Sequence, residues 1–187
     1  TYTRAQVVDA FYSSPDYMGI EHPVARLYFA FFNRYPDYDG FMFNSGLVRS
    51  GAITLTQLAD YFSGSPEFIA TYGSLNNTQY VTLLYQNVLG RAPDQAGLDG
   101  WVALLNAGTY TRGQVMLGFS ESTEYKGLMV NKVRVALTYL ALLRRPPDPP
   151  GYSAWLAYLN GGGTATALIN GFLGAPATTA GSCNEER

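Results

Sequence analysis

Residues 109–125, TYTRGQVMLGFSESTEY, repeat residues 1–17, TYTRAQVVDAFYSSPDY, at a constant offset of 108 positions and without a gap. Two further copies of the pattern occupy residues 54–68 and 164–177. Self-similarity at a period of about 50 residues is the signature of tandem supersecondary units. The four copies align on a Thr and on a Phe, namely Thr3, Thr54, Thr111 and Thr164, and Phe11, Phe62, Phe119 and Phe172. This repeat predicts the fold more strongly than any single motif.

The aligned Thr predicts a helix start in each copy, because its hydroxyl can accept a backbone N–H of the first turn. Three copies place a Gln at the capping-box spacing and the fourth places an Ala there: Gln6, Gln57, Gln114 and Ala167. Apolar residues then recur at helical spacing up to the Phe, which we expect to lie in the core. A second helix start follows the Phe in three copies, at Ser14, Ser65 and Ser122.

A second block alternates with the first and has the form Arg-x-Pro-Asp-x-x-Gly-apolar. Its three copies are residues 34–41, 91–98 and 145–152. The Pro disfavours helix for the residue before it, and the Asp stands where the next helix needs an N-cap. Apolar stretches before each block predict central helices, at 24–33, 80–89 and 133–143. The helix after each block is expected to stop at a glycine, at Gly51, Gly108 and Gly161.

These signals predict an all-α fold of tandem helical modules, each of about 50 residues, packed into one helical array. No stretch shows the period-two alternation of a half-buried strand. The repeat divides the chain into a half-module at 1–22, modules at 23–78, 79–131 and 132–177, and a flexible tail at 178–187. Because the first unit is a half-module, we expect an uncovered face there that favours assembly.

The composition excludes several classes of protein. Charged residues make up only 14% of the 187 residues and the net charge is −2, so the basic surface of a nucleic-acid-binding protein is missing. No apolar run reaches the roughly 18 residues that a membrane span needs. Cys183 is the only cysteine, which excludes a disulfide within the chain. The low charge and the 15 tyrosines are common in secreted and cell-surface proteins.

The middle copy carries the resemblance to a known family. Residues 84–101, LYQNVLGRAPDQAGLDGW, followed by residues 119–125, FSESTEY, resemble the bacterial domain-of-unknown-function family 4214. Members of that family are typically found in secreted and surface-layer-like proteins, often beside calcium-binding repeats. The family is distantly similar to the helical linker domain of phycobilisomes. The resemblance implies a helical fold and an extracellular bacterial setting, and it brings no catalytic residues with it.

No combination of residues predicts a catalytic centre, and we predict a protein that is not an enzyme and has no cofactor. His22, the only histidine, precedes Pro23 in what reads as a linker, with no triad partner predicted beside it. Calcium is a weak alternative for the acids of the second block, although helix capping explains them more simply. The candidate calcium ligands are Asp37, Asp39, Asp94 and Asp99.

Tyr and Arg residues near the turns are the candidate binding residues. Tyr supplies contact area at low entropic cost. Arg can pair with an anionic partner or, more simply, with a carboxylate or carbonyl of its own module. The candidates are Tyr35, Tyr38, Tyr110 and Tyr152, together with Arg34, Arg91 and Arg145.

The leading functional hypothesis is a non-catalytic structural or interaction domain, secreted or at the bacterial cell surface. Its partners are expected to be proteins, copies of itself included, and neither nucleic acid nor a membrane span. The alternative is a module that binds carbohydrate or another surface polymer through the turn Tyr and Trp residues. An enzyme is the third hypothesis, because it would need a pocket with convergent acids that the sequence does not reveal.

Overall fold

The computed structural model describes residues 1–174, which form eleven α-helices and no strand. The helices are α1 Arg4–Tyr12, α2 Pro15–Phe32, α3 Tyr38–Arg49, α4 Leu55–Ser63, α5 Pro66–Tyr72, α6 Asn77–Asn87, α7 Gln95–Asn106, α8 Arg112–Ser120, α9 Thr123–Leu143, α10 Pro149–Asn160 and α11 Ala165–Gly174. The predicted all-α fold is confirmed. None of these helices has both the length and the apolarity to cross a membrane. Cys183 and the tail predicted at 178–187 lie outside the described residues.

The helices begin where the capping signals place them. We call the first repeated block, which begins near Thr3, Thr54, Thr111 and Thr164, the Thr block. In three of its copies the Thr side chain accepts a hydrogen bond from the Gln amide, and the Gln side chain accepts one from the Thr amide, at Thr3, Thr54 and Thr111. In the second block the Asp side chain accepts the amide of the motif Gly, at Asp37, Asp94 and Asp148. Both blocks are therefore helix N-termini whose first-turn amides are satisfied by side chains.

Two junctions differ from the sequence prediction. Helices α2 and α9 are continuous, although a short helix and a separate long helix were expected in each place. Helix α2 carries Pro23 in its interior, so the prediction that His22 lies in a linker is wrong. The short and the long helix are separate only after the second copy, at residues 66–87. There α5 ends at Gly73, and a new capping box formed by Asn76 and Gln79 begins α6. The proposed unit boundaries after residues 22 and 131 therefore fall inside helices.

Helices that are distant in sequence pack against each other. Helix α4 packs along α8, α1 packs along α11, and α2 packs along α9. The first Thr block thus lies against the fourth, and the second lies against the third. The α4–α8 contact is so close that a Cβ on Gly113 would lie 2.7 Å from the carbonyl oxygen of Ala59. Contact between the first and last copies closes the array on itself.

Two arginines on the central helices reach across to Thr-block helices. Arg26 on α2 is buried and donates from Nε and Nη2 to both carboxylate oxygens of Glu121, at 2.9 and 2.8 Å. Arg134 on α9 lies 3.5 Å from Asp9 of α1 in a more exposed ion pair. Arg26 and Arg134 are 108 positions apart and are therefore equivalent residues of the repeat. The first links α2 to the end of α8, and the second links α9 to α1.

The Phe of the Thr block is buried in three copies and exposed in the first. Phe62, Phe119 and Phe172 lie in the core, but Phe11 is 61% exposed, so the prediction of a core position is wrong for Phe11. No described helix covers this side of α1, whereas its other side packs on α11 and Ala5 is fully buried. The half-module is therefore covered on one face and open on the other.

His22 makes the stability of the fold dependent on pH. Burial, together with the positive charges of Arg26 and Arg134, lowers its pKa from 6.5 to about 4. The pKa of His22 is lower in the folded state than in the unfolded state. The stability that neutral His22 contributes is therefore fully present above the unfolded-state pKa, and it is lost as the pH falls towards the folded-state pKa.

We expect the free energy of unfolding to fall by about 1–2 kcal/mol more in the parent chain than in His22→Gln when the pH is lowered from about 7 to about 4.5. Urea denaturation of both proteins at the two pH values measures this difference. Equal losses in the two proteins would show that His22 is not the titrating group.

Candidate interaction sites

The motif arginines are held in the same way in the three modules. Each guanidinium lies over the ring of a Tyr on the preceding long helix, 5.7, 4.9 and 5.3 Å from the ring centroid. Each also lies within 4 Å of the capping Asp of its own turn. The tyrosines are Tyr28, Tyr85 and Tyr139, always six residues before the Arg. These tyrosines were not predicted as part of the motif, although their constant spacing from the Arg recurs in all three copies.

Two of the arginines also bind an acid in the first turn of a later helix, α5 for Arg34 and α9 for Arg91. Arg34 donates from Nε and Nη2 to the two carboxylate oxygens of Glu67, at 3.0 and 3.1 Å. Arg91 donates in the same way to Glu124, at 2.7 and 2.9 Å. These hydrogen bonds raise the pKa of both guanidinium groups and hold the pKa of the Glu124 carboxyl below its usual range. We call this paired contact the Arg–Glu latch.

The motif glycine makes room for the same Tyr. A Cβ on Gly97 would lie 2.2 Å from the Oη of Tyr85, and a Cβ on Gly151 would lie 2.2 Å from the Oη of Tyr139. The Tyr ring in turn meets the Thr-block Phe edge-on, with centroids 5.1, 4.9 and 4.7 Å apart in Tyr28–Phe62, Tyr85–Phe119 and Tyr139–Phe172. The Arg, Asp and Gly of the motif therefore form a joint around one Tyr.

Three of the four acids considered as calcium ligands cap a helix or bind a neighbouring side chain. Asp37 and Asp94 each accept a first-turn amide at 2.8 Å, and Asp99 accepts the side-chain amide of Gln95 at 2.9 Å. Within residues 1–174 no three His, Cys, Asp or Glu side chains form a group that could hold a metal ion. Calcium binding by Asp37, Asp39, Asp94 or Asp99 stays a prediction.

Three of the candidate binding residues meet in one groove. Tyr35 and Tyr152 come from different modules, and their ring centroids lie 5.4 Å apart. Arg34 lines the same groove, which has a volume of about 590 Å³. Its other walls are formed by Phe29, Asn33, Asp37, Lys132 and Pro146. We call this site the two-tyrosine groove, and it combines two aromatic faces with charged groups of both signs.

Tyr38 lines a second groove of about 440 Å³, between α1, α2, α3 and the end of α9. Its walls are mainly apolar and include Phe11, Tyr17, Phe41, Met42 and Leu140. One buried carboxylate, Glu21, stands in this apolar groove. One of its oxygens accepts a hydrogen bond from Arg49, and the other has no hydrogen-bond partner.

The ion pair in the apolar groove is particular to the first module. The other two modules join the long helix to the end of the next helix by a neutral amide pair, in Asn77–Asn106 and Asn131–Asn160, at 2.7 and 2.9 Å. Tyr110, the remaining candidate, lies apart from both grooves and edge-on to Trp101. The structure thus brings Tyr35, Tyr152 and Arg34 together and leaves the other candidates separate.

The fold and its joints define an all-α domain built from capped helices that are tied by Arg–Glu latches. Residues 59–129 match the family model described as a domain of unknown function (DUF4214). The match supports, for this segment, the resemblance stated from the sequence. The segment contains the whole of the second latch, Arg91 with Glu124. Comparisons with curated proteins and with solved structures each found no match.

Proposed function

We propose that this chain is a non-catalytic interaction domain of a secreted or cell-surface protein, and that it binds other protein molecules, copies of itself included. The observation that carries the proposal is the apolar groove, because apolar side chains at its rim are largely open to solvent. Phe11 is 61% exposed and Met42 is 50% exposed. Exposed apolar surface that is concentrated at one place is typical of protein contact sites.

The contrast between the recurring polar residues and the ion pair at the apolar groove supports this proposal. The recurring polar residues of both blocks are used within the fold, where they cap helices or bind Arg side chains. The Glu21–Arg49 ion pair at the apolar groove, by contrast, does not recur in the other modules. The extracellular setting is supported by the low charge and high Tyr content of the chain and by the settings in which members of the resembled family occur.

Sedimentation equilibrium over a wide concentration range tests the proposal. We expect reversible self-association that Met42→Ser weakens at least about tenfold, because losing an apolar anchor that the contact buries costs about 1.4 kcal/mol or more. Ile69→Ser is the matched control, because Ile69 on α5 is 53% exposed and lines no groove described above. A monomer mass at every concentration, or equal weakening by both variants, would contradict self-association through this groove.

Binding of carbohydrate or another surface polymer is the second candidate function, and the two-tyrosine groove favours it. Paired aromatic rings supply apolar area for the C–H faces of a sugar, while polar groups beside them can bond its hydroxyls. Arg34, Asp37 and Lys132 line the groove beside the two rings.

A glycan array followed by titration tests the second candidate. Tyr35→Ala and Tyr152→Ala should each weaken binding by about tenfold or more, because each removes one ring of the platform. Tyr110→Ala is the control, because it removes a comparable surface ring outside the groove. Binding that persists in both groove variants would exclude this site.

A further inference from the structure

Two positions of the Thr block are core positions in three copies and surface positions in the first. The residues Leu58, Val115 and Leu168 have no exposed surface, whereas the equivalent Val7 is 58% exposed. The equivalents of Phe11 are at most 9% exposed, as Phe62, Phe119 and Phe172 show. Helix α1 therefore has the apolar face of the other Thr-block helices but lacks their cover.

The other three copies show what the missing cover consists of. In each of them the Phe is met by the Tyr of a long helix, which lies six residues before an Arg-x-Pro-Asp turn. In two of them, the acid five residues beyond the Phe then receives the Arg of that turn in a latch. The partner of a Thr-block helix is thus a long helix followed by a turn, and this pair recurs three times in the chain.

The first copy has both residues that such a partner contacts in the other copies, namely the Phe and the acid five positions after it. Asp16 stands five residues after Phe11, where Glu67 and Glu124 stand in the next two copies. Asp16 is exposed, and no ion pair to it forms among residues 1–174. The only aromatic neighbours of Phe11 in the described chain are Tyr12 and Tyr17 of its own segment. Within the described residues, Phe11 therefore lacks a Tyr that stands before an Arg-x-Pro-Asp turn and Asp16 lacks an Arg partner, and both residues lie in the same copy of the Thr block.

We propose that the face formed by Val7, Phe11 and Asp16, the open face, binds one further repeat unit. That unit is a long helix with a Tyr six residues before an Arg-x-Pro-Asp turn. Its Tyr packs edge-on against Phe11, its helix covers Val7, and its Arg binds Asp16 through both carboxylate oxygens. The inference rests on the proposed function in that the chain binds protein, and it names the kind of protein segment that α1 accepts.

Ala10 sets a condition on the partner. The equivalent positions Gly118 and Gly171 lie under Trp101 and Trp155, and a Cβ there would come within 2.7 and 2.5 Å of the indole rings. A unit with a Trp at this position therefore needs Ala10→Gly. A unit that fits the unchanged open face carries a smaller residue in place of the Trp. The first module has such a residue, Asn44, at the position of Trp101 and Trp155.

A fusion tests the inference with a segment of known fit. A second copy of residues 76–108 is joined in front of Thr1 in a chain carrying Ala10→Gly, so that the added Gly108 precedes Thr1 as it precedes Thr109. We expect amide hydrogen exchange in α1 to slow by about tenfold or more relative to the unfused Ala10→Gly chain. Exchange in α9 serves as the internal reference that the parent fold is kept.

Matched variants separate a specific joint from mere attachment. In the fusion, changing the added Tyr85 and Arg91 to Ala should abolish the protection of α1, as should Phe11→Ser. Replacing Asp16 by Arg should weaken it, and adding Arg91→Glu in the fused segment should restore it. Unslowed α1 exchange in the fusion, or equal slowing with the added Tyr85 and Arg91 replaced, would overturn the inference.

A fusion that fails to fold is handled by a second measurement. The peptide of residues 76–108 is added in excess to the full chain carrying Ala10→Gly, and binding is followed by calorimetry. Saturable binding that Phe11→Ser abolishes supports the inference, and no binding, or binding unaffected by Phe11→Ser, overturns it. Self-association through Met42 is measured on the unfused chain, so failure of the proposed function and failure of this inference are distinguishable.

Discussion

Replacing Gly97 by Ala is expected to lower the free energy of unfolding by about 2–3 kcal/mol, the usual cost of overpacking a closely packed site. The added Cβ would lie 2.2 Å from the Oη of Tyr85, so the ring has to move. That ring is held on both sides, by the Arg91 guanidinium over it and by Phe119 at its edge. Moving it therefore disturbs the whole joint of the second module.

Gly100→Ala in the same helix is the control for Gly97→Ala. Nothing lies within 4 Å of a Cβ built on Gly100, and Gly in a helix interior is less favourable than Ala by about 0.8–1 kcal/mol. We therefore expect Gly100→Ala to stabilise the chain. Chemical denaturation of the parent and of both variants measures the contrast. Two variants with the same stability would show that the motif glycine is not required by the Tyr beneath it.

Replacing Arg26 by Met is expected to cost about 3 kcal/mol, because breaking a buried ion pair leaves a desolvated charge behind. The side chain of Arg26 is 10% exposed and that of Glu121 is 23% exposed. Lys126 lies 3.0 Å from Glu121 and still offsets part of its charge, which keeps the loss at the lower end of the range. Both oxygens of Glu121 lose their hydrogen bonds from the guanidinium.

Arg134→Met is the internal control for Arg26→Met, because Arg134 is the equivalent residue of the 108-residue repeat. Its pair with Asp9 is 3.5 Å long and both side chains are about one-third exposed, so we expect a loss of about 1 kcal/mol or less. Urea denaturation of the two variants gives the comparison. A larger loss of unfolding free energy for Arg134→Met than for Arg26→Met would contradict the conclusion that the buried ion pair is the one made by Arg26 of α2.

Helix starts were predictable from the sequence because their cause is local. A Thr or Asp cap needs only the amide three residues later, so the pattern at Thr3 or Asp94 contains the whole interaction. The joint was predictable only in part. The Arg and Asp of the motif were singled out, but the role of Tyr85 depends on a helix approaching from elsewhere in the chain. Its constant distance of six residues from the Arg was the available signal.

The rest depends on which copies meet, and that is not encoded in any one copy. Phe11 has the same local sequence signals as Phe119, yet it is exposed because no described helix covers it. Tyr35 and Tyr152 lie more than 100 positions apart in the sequence and share a groove only because α2 packs along α9. Pro23 read as a helix break, but the helix continues through it within the packed core.

Closure of the array by α1 packing on α11 is the central structural claim, since this contact covers one face of α1 and leaves the other open. Thr166 donates to Asp9 across this contact at 3.2 Å. A Cys183→Ser chain carrying Asp9→Cys and Thr166→Cys should therefore be joined within one molecule by a short bismaleimide, with a yield that does not change on dilution. Asp60→Cys with Thr111→Cys, whose side chains are hydrogen-bonded between α4 and α8, is the positive control. Cross-linking of the control pair alone, or of the first pair only between molecules, would contradict the account.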